Sequence, residues 1–257
     1  MAELIAGAEA WSSYSPGSAT GTGVLVLHGF TGNPVSLRPL AEALAAEGFA
    51  VELPRLPGHG TTWQEMQRTT WQDWAGEAAA ALDRLRAVTR SRVAVGLSMG
   101  GTLALHLAAT RGADLAGIAL VNPSVHSADT RLRAVPVAKY LVPSASSIGN
   151  DIARPDGDER AYPRVPLRAL ASLLQLQRRV RADLGLVGVP TLVFTSRTDH
   201  VVHPSNSTMV LDGIAAADAE QVWLERSYHV ATLDYDAELI AERTAAFVRR
   251  VTGAAAR

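Results

Sequence analysis

Short apolar runs that favour buried β-strands alternate along this chain with longer segments of helical period. Helical segments are clearest at 36–49, 71–89 and 236–252. The strand-like runs are GVLVLHGF (23–30), AVELPRL (50–56), SRVAVGL (91–97), GIALVNP (117–123), PTLVFTS (190–196) and QVWLERS (221–227). Strands separated by helices favour parallel pairing and need covering on both faces. The sequence therefore predicts an α/β fold with a mostly parallel central sheet flanked by helices.

Length and composition indicate a single domain over residues 1–257. The formal net charge is -1 and no block of Lys or Arg is present, so nucleic-acid partners are not expected. The chain has no cysteine, which excludes disulfides, a thiolate nucleophile and cysteine metal ligands. No apolar run approaches the roughly 20 residues of a membrane helix, and Glu3 and Glu9 interrupt the region where a signal peptide would be apolar. We expect a soluble, cytoplasmic protein.

One long interval interrupts the alternation of strands and helices. Between Val125 and Gly188 no strand is evident, and the sequence is rich in Pro, Ser, Gly and Arg before the helix-like LRALASLLQLQRRV at 167–180. A connection this long in a compact domain usually serves function, often as a lid. We predict that residues 126–187 form a small helical cap inserted above the sheet. A disordered linker is the alternative, but the leucines of the helix-like stretch supply an apolar face that needs burial.

The segment VAVGLSMGGTLALHLA (93–108) places a serine where a strand gives way to a helix. Residues 96–100, GLSMG, match G-x-S-x-G, a motif in which a strained turn presents a nucleophilic serine at the sheet edge. The two glycines leave room for the strand and the helix to approach each other. We therefore predict Ser98 as a nucleophile. A glycine-rich turn that only packs the helix tightly on the strand is the alternative.

A catalytic serine needs a base, and the base needs an acid to orient it. In chains with this serine turn, the acid and then the histidine follow the serine. Asp199, in TSRTDHVV, follows one strand-like run, and His229, in RSYHVATLDYD, follows the next. Their positions at the ends of successive strands predict a triad of Ser98, Asp199 and His229.

Other histidines allow alternative interpretations. D-H-x-x-H at 199–203 could suggest a metal site, but no second ligand cluster supports it and no H-E-x-x-H is present, so we expect no metal. His59, in LPGHG, is expected to fix a turn. His106 falls on the helix after the serine, where we expect it to be packed or exposed rather than catalytic.

The tetrahedral intermediate of acyl transfer needs N–H donors for its oxyanion. The serine turn itself places the N–H of Met99, and a second donor is expected from HGFTG, which follows the first strong strand. Gly29 and Gly32 allow this loop to bend close to the serine. We therefore predict the Phe30 N–H as the second donor. His28 is expected to hold the loop through local hydrogen bonds.

Together these residues resemble the serine hydrolases of the α/β-hydrolase superfamily, and more closely bacterial monoacylglycerol lipases and their carboxylesterase relatives. The resemblance runs from about Gly23 to Val251, through HGFTGNP, LPRLPGHGT, RTTWQDW, GLSMGGTL, SIGND, SLLQL, TDHVV and SYHVATLDYD. It implies the α/β-hydrolase fold, the same triad and the same two oxyanion donors. It implies no metal and no organic cofactor.

In that family a small cap covers the site and forms an apolar tunnel for the acyl chain. The resemblance matches Ile148, in SIGND, to a residue that shapes the tunnel, and Glu159, in DERAY, to one that hydrogen-bonds the glycerol end. The stretch from Ser127 to Ser146 departs from the family pattern. A solvated surface charge is the alternative role of Glu159.

The sequence thus predicts a serine esterase that hydrolyses monoacylglycerols to fatty acid and glycerol through an acyl-enzyme. A broad-specificity carboxylesterase for short- to medium-chain esters is the first alternative, and an acyltransferase that uses an acceptor other than water is the second. A non-catalytic receptor would bind without turnover, and the intact set of triad and oxyanion residues argues against it. Apolar cap residues allow transient contact with a lipid surface, although no basic amphipathic segment demands it.

Overall fold

The computed structural model describes residues 2–15 and 20–254, and one large sheet forms the centre of this part of the chain. The strands are β1 (Trp11–Ser12), β2 (Thr20–Leu27), β3 (Ala50–Leu53), β4 (Thr89–Leu97), β5 (Gly117–Val121), β6 (Ser144–Ser146), β7 (Arg164–Pro166), β8 (Thr191–Ser196) and β9 (Ala219–Leu224). The large sheet has the order β1-β3-β2-β4-β5-β8-β9, and its strands pair in parallel except at β1 and β3. The prediction of a mostly parallel central sheet is confirmed.

Helices cover both faces of this sheet. The α-helices of the described residues are α1 (Arg38–Ala46), α2 (Trp63–Met66), α3 (Trp71–Arg86), α4 (Met99–Arg111), α5 (Val135–Ala138), α6 (Leu167–Asp183), α7 (Ser205–Gly213) and α8 (Ala237–Thr252). Buried side chains of α1 and α8 form one core layer with the sheet, and those of α3, α4 and α6 form the other. Because both faces are covered, the strands are apolar almost throughout rather than alternating between polar and apolar residues.

Side chains of the central strands alternate between the two core layers. In β2, Val24 and Val26 belong to the layer of α1 and α8, whereas Leu25 and Leu27 belong to the layer of α3 and α4. All four are fully buried. The two layers hold the sheet from both sides, so the loops at the carboxyl ends of the strands are carried on a rigid base.

The helix boundaries follow local signals that are visible in the sequence. At the start of α3, Thr70 and Asp73 form a capping box, in which each side chain satisfies an N–H of the other residue. The sequence predicts a helix over 71–89, but α3 ends at Arg86 because Thr89 already starts β4. Near the C-terminus, α8 ends at Thr252, and the following Gly253 caps it with a left-handed φ of 66°, which suits glycine.

The insertion between β5 and β8 contains a β-hairpin that the sequence does not indicate. The expectation of an interval without strands is wrong, because β6 and β7 pair antiparallel within it. Three-residue strands built from Ser, Ala, Arg, Val and Pro have no extended period-2 apolar pattern, and their pairing joins stretches far apart in the chain. The predicted helix is present as α6, and its Leu176 and Val180 are buried in the core rather than belonging to a linker.

Three smaller elements also lack a clear sequence signal. β1 adds an antiparallel edge strand, in which Trp11 pairs with Leu53, and α2 and α7 are short helices in loops.

Across residues 2–15 and 20–254, no helix combines the length and the apolar composition that a membrane crossing needs.

Candidate active site

Ser98 occupies a sharp turn between β4 and α4. Its backbone has φ 55° and ψ -115°, a strained conformation that L-residues rarely adopt. The turn is so tight that a Cβ at Gly96 would lie 2.1 Å from the carbonyl oxygen of Gly100. A Cβ at Gly100 would lie 1.9 Å from the carbonyl oxygen of Leu27. Both glycines of the motif are therefore sterically required, and the strand–turn–helix context predicted for Ser98 is present.

Backbone hydrogen bonds hold the strained turn in place. The Ser98 N–H donates to the Val121 carbonyl at the end of β5, at 2.9 Å. The Ser98 carbonyl accepts from the N–H groups of Thr102, at 3.1 Å, and Ser124, at 3.3 Å. The serine is buried from the bulk solvent but lies at the carboxyl edge of the sheet, where ligands bind in open α/β folds.

Asp199 and His229 lie in contact after β8 and β9, as the sequence predicts from their positions. The His229 Nδ1 and the Asp199 Oδ2 are 2.7 Å apart, and the side chains are 8% and 1% exposed. The other oxygen of Asp199 accepts from the N–H groups of Val201, at 2.9 Å, and Val202, at 2.7 Å. An ionised carboxylate only accepts hydrogen bonds, so the Nδ1 carries the proton. This tautomer leaves the Nε2 free to act as a base.

The surroundings of His229 favour its protonated form. Burial of the imidazole lowers its pKa, but the charge and hydrogen bond of Asp199, with further attraction from Glu159 and Asp151, outweigh burial. The net result is that the pKa of His229 lies above its usual value. Such surroundings stabilise the imidazolium that forms when a histidine takes a proton from a serine.

Asn122 joins the loop of His229 to the strand next to the serine, a role that sequence reasoning missed. It follows Val121 directly, with a φ of 45°. Its Nδ2 donates to the His229 carbonyl, at 2.9 Å, and to the Ser196 Oγ, at 2.9 Å, while its Oδ1 accepts from the Ser196 N–H at 2.8 Å. Ser98 is bonded to Val121, and the loop of His229 is bonded to the next residue, Asn122. The serine and the histidine loop are therefore held by two consecutive residues.

The loop after β2, which carries the predicted donor Phe30, lies against the serine. A Cβ at Gly29 would be 3.5 Å from the Ser98 Cβ, which is van der Waals contact, so the backbone of this loop passes close to the serine. Within residues 2–15 and 20–254, no hydrogen-bond acceptor is bonded to the N–H of Phe30 or of Met99. Neither predicted donor is therefore engaged by another of these residues.

A buried aromatic and imidazole cluster supports that loop. The His28 Nδ1 bonds to the Gly29 carbonyl at 3.0 Å, and its Nε2 accepts from the Leu56 N–H at 3.1 Å, as expected for a residue that holds the loop. The His28 ring packs edge-on against His59, and Trp74 packs in the same way against both His59 and Phe30. Burial lowers the pKa of His28 to about 4, so the imidazole is neutral and makes one donor and one acceptor bond.

Glu159 reaches the same loop from the insertion. A Cβ at Gly32 would lie 3.5 Å from the Glu159 Oε2, and the Oε1 accepts from the Asn150 N–H at 2.8 Å. Burial raises the pKa of Glu159 above its usual value, and its charge acts on His229. The side chain of Ile148 is placed differently, since it is 66% exposed. The structure thus places Glu159 against the loop after β2 and leaves Ile148 exposed on the insertion.

His106, His200 and His203 each contact a residue other than a histidine. The His200 Nδ1 lies 2.8 Å from the Asp151 Oδ1, and the His203 Nδ1 lies 2.9 Å from the Ser205 Oγ. His106 packs edge-on against Trp71. Over the part of the chain that the structure describes, no three His, Cys, Asp or Glu side chains are grouped as metal ligands would be.

Asp151 and Asp234 are two further site residues that sequence reasoning missed. The Asp151 carboxylate accepts from the His229 N–H at 3.1 Å, and the Asp234 carboxylate accepts from the Tyr228 N–H at 2.9 Å. Both residues lie inside motifs that carry the family resemblance, SIGND and SYHVATLDYD. The position of Asp234 beside the histidine segment was the available signal, but its carboxylate accepts from backbone N–H groups, which a sequence pattern does not reveal.

A comparison with family models matches residues 19–236 to the family described as serine aminopeptidase, S33. A thermostable monoacylglycerol lipase of Bacillus sp. (strain H-257) is 42% identical over 236 residues, which cover 90% of this chain and 92% of that protein. A carboxylesterase of Bacillus subtilis (strain 168) is 26% identical over 229 residues, covering 89% and 92%. These relatives confirm the resemblance to monoacylglycerol lipases and carboxylesterases.

Solved structures agree with this assignment. A structure described with LipS and LipT, two metagenome-derived lipolytic enzymes, superimposes with a TM-score of 0.92 at 39% identity. The match covers 96% of this chain and 100% of that one. A match of this extent confirms the predicted α/β-hydrolase fold. With its fold, its serine turn and its family match in agreement, this chain belongs to the serine aminopeptidase S33 family of α/β-hydrolases.

Proposed function

We propose that this protein is a serine esterase that hydrolyses monoacylglycerols to fatty acid and glycerol. The observation that carries the proposal is the hydrogen-bonded pair of Asp199 and His229, fixed through Asn122 beside the turn that carries Ser98. The likeness to the Bacillus monoacylglycerol lipase supports the choice of substrate. The roles proposed below for Ser98, His229 and Asp199 follow from their positions and their chemistry.

In the first half of the reaction, the Nε2 of His229 takes the proton of the Ser98 hydroxyl as the oxygen attacks the ester carbonyl carbon. The carbonyl π-electrons move to oxygen, and the N–H groups of Phe30 and Met99 stabilise that oxyanion. When the carbonyl reforms, the bond to glycerol breaks and the His229 imidazolium gives its proton to the leaving alkoxide. Asp199 stabilises the imidazolium and stays ionised.

Water then releases the fatty acid by the same roles. His229 takes a proton from water as its oxygen attacks the acyl-enzyme, the same two N–H groups hold the second oxyanion, and Ser98 leaves with the proton from the imidazolium. An acyltransferase would differ only in the acceptor, because an alcohol would take the place of water in this step. A marked rise in ester exchange on adding alcohol would identify that alternative.

Glu159 is the proposed contact for the glycerol end of the substrate. Its carboxylate lies at Gly32, on the loop that also carries Phe30, and one oxygen is already bonded to the Asn150 N–H. A carboxylate accepts hydrogen bonds from hydroxyl groups, so the free hydroxyls of a glyceride suit it. Ile148 is proposed to border the entrance for the acyl chain, where its exposed side chain is available to substrate.

The decisive experiment compares a medium-chain monoacylglycerol with the ethyl ester of the same acid, using the purified protein and Ser98→Ala. We expect fatty-acid release to fall by at least about 10⁴-fold in Ser98→Ala, because triad members act as a unit. A higher rate on the glyceride would support the proposal. Equal rates on both esters would favour the broad carboxylesterase, and release that does not depend on Ser98 would contradict the proposed mechanism.

A second arm of this experiment uses Glu159→Gln, which keeps the size of the side chain and removes its charge. We expect the rate on the glyceride to fall about tenfold, the equivalent of about 1.4 kcal/mol for a hydrogen bond to a charged acceptor, with little change on the ethyl ester. Asp158→Asn is the matched control, since Asp158 is the exposed neighbour and bonds to the Arg160 N–H. An equal fall on both esters would mean that Glu159 does not read the glycerol end.

We also propose transient contact between the insertion and a lipid surface. Around α5 the side chains of Val137, Tyr140, Leu141 and Val142 are exposed, and they define an apolar patch. The same stretch carries Arg133 and Lys139, whereas Arg131 is paired with Asp129. Apolar side chains among cations suit an anionic membrane surface. The cytoplasmic location stays a prediction from the sequence.

A further inference from the structure

Asp151 links the insertion to both loops that carry the acid and the base. Its Oδ2 accepts from the N–H of His229 and from the N–H of His200, each at 3.1 Å. Its Oδ1 lies 2.8 Å from the Nδ1 of His200. His200 directly follows Asp199 in the chain. One side chain therefore bridges the residue next to the acid and the histidine itself.

Further hydrogen bonds join the insertion and the loop of His229, and they run in both directions. The Asp151 carbonyl accepts from the Val230 N–H at 3.0 Å. In the other direction, the Asp234 carboxylate accepts from the N–H groups of Ala153, at 2.7 Å, and Arg154, at 3.1 Å. The side chain of Asp151 is 10% exposed, and Asp234 as a residue is 1% exposed, so water competes weakly for these bonds.

Hydrogen bonds from N–H groups to an ionised carboxylate are stronger than those between neutral groups, and these bonds restrain the backbone of His229 rather than its ring. The ring is held separately by Asp199. A shift of the backbone would carry the Nε2 away from the serine, and a misplacement of about 1 Å costs about 10²-fold in rate.

We propose that Asp151 is a positioning residue for the reaction proposed above, and that its carboxylate holds the loops of Asp199 and His229 at their working separation. The insertion is then part of the catalytic framework as well as a cover over it. This inference rests on the proposed function, because positioning has a meaning only where Ser98 turns over substrate.

Asp151 also acts on His229 through its charge. The charged groups that act on the imidazole are Asp199, from the loop after β8, and Glu159 and Asp151, from the insertion. His200 is the titratable group bonded to Asp151 itself. Removal of the Asp151 charge reduces the stabilisation of the imidazolium and lowers the pKa of His229. A residue that only supports folding would leave that pKa unchanged.

The test measures kcat, KM and the pH dependence of kcat/KM with a p-nitrophenyl ester for Asp151→Ala, Asp151→Asn and a control. Asp156→Asn is the control, because Asp156 lies in the same segment, pairs with Arg154 and is 70% exposed. We expect Asp151→Ala to lower kcat by about 10- to 100-fold with KM within about twofold. We expect Asp151→Asn, which keeps an acceptor oxygen, to have a higher kcat than Asp151→Ala. We also expect its acid limb, the fall of kcat/KM at low pH, to lie at lower pH than in the wild-type protein.

The outcomes separate this inference from the function on which it rests. A wild-type protein without Ser98-dependent turnover would overturn the proposed function and this inference with it. Wild-type turnover, with Asp151 variants that match Asp156→Asn in kcat and in the acid limb, would overturn this inference alone. Asp151 variants that melt at a lower temperature but keep the wild-type kcat and acid limb would also overturn this inference. If Asp151→Ala does not fold, the acid limb of Asp151→Asn decides, and an unshifted limb counts against the proposal.

Discussion

At the scale of single residues, the turn at Ser98 requires glycine, which has no side chain, at positions 96 and 100. The carbonyl oxygens of Leu27 and Gly100 occupy the positions where side chains at Gly100 and Gly96 would begin. The strained φ of Ser98 is maintained by this close packing and by the hydrogen bond to Val121. The motif is therefore a steric requirement of the strand–helix corner as well as a marker of chemistry.

Substitution at two helical glycines should have opposite effects. Gly100→Ala places a Cβ 1.9 Å from the Leu27 carbonyl oxygen, and we expect it to lower the free energy of unfolding by more than about 3 kcal/mol. Gly76→Ala, in the exposed middle of α3, meets no atom within 4 Å and should raise that free energy by about 1 kcal/mol. Urea denaturation of both variants checks this, and equal stability for the two would contradict the steric argument.

In the proposed mechanism, the charge state of His229 sets the pH dependence of the reaction. The imidazole must be neutral to accept the serine proton, so activity falls as the pH drops through its pKa. Because the pKa of His229 is raised, we expect the acid limb of kcat/KM to have an apparent pKa above about 6.5. A rate profile from about pH 5 to 9 measures it. Glu159→Gln should move the limb to lower pH, and a wild-type limb below the ordinary histidine value would contradict the electrostatic argument.

At the scale of elements, the long periodic segments are those that the sequence predicts well. α3, α6, α8 and the central strands were all indicated by period and composition, because each buries a large apolar face. β6 and β7 were not, because three residues give no readable period and each strand exists only through its partner. Local propensity is too weak in such short strands to compete with tertiary pairing.

The apolar patch around α5 provides a prediction for a surface element. Leu141 is 80% exposed, and we expect Leu141→Ser to reduce the fraction of protein that sediments with phosphatidylglycerol-containing vesicles by about tenfold, because a buried leucine contributes about 1.5–3 kcal/mol. Leu186→Ser is the matched control, since Leu186 is also exposed but lies outside the patch. Equal sedimentation of Leu141→Ser and the wild-type protein would show that the patch does not bind lipid.

At the scale of the whole molecule, stability depends on buried neutral histidines, and His28 is one that also holds the loop after β2. The pKa of His28 is lowered to about 4 by burial, so its contribution is fully present above the unfolded value of about 6.5 and is lost as the pH falls toward 4. This difference corresponds to a loss of about 3 kcal/mol in the free energy of unfolding over that interval.

Urea denaturation at pH values on either side of this interval tests the role of His28. We expect His28→Asn to be less stable than the wild-type protein at neutral pH, because the fit of the imidazole is lost, and to show a weaker loss of stability in acid. His126→Asn is the control, since His126 is exposed. If His28→Asn and His126→Asn lose stability equally as the pH falls, another group is responsible for the acid sensitivity.

The sequence by itself determined the fold class, the family resemblance, the strand–turn–helix setting of Ser98 and the order of the predicted triad. These features depend on local period, on glycine geometry and on the rule that parallel strands end at one edge, all of which are legible along the chain. Only the tertiary structure decided the hydrogen bonds by which Asn122 and Asp151 bridge distant segments and the exposure of Ile148. Each of these features depends on which distant parts of the chain lie next to a given side chain. No local sequence pattern specifies those neighbours.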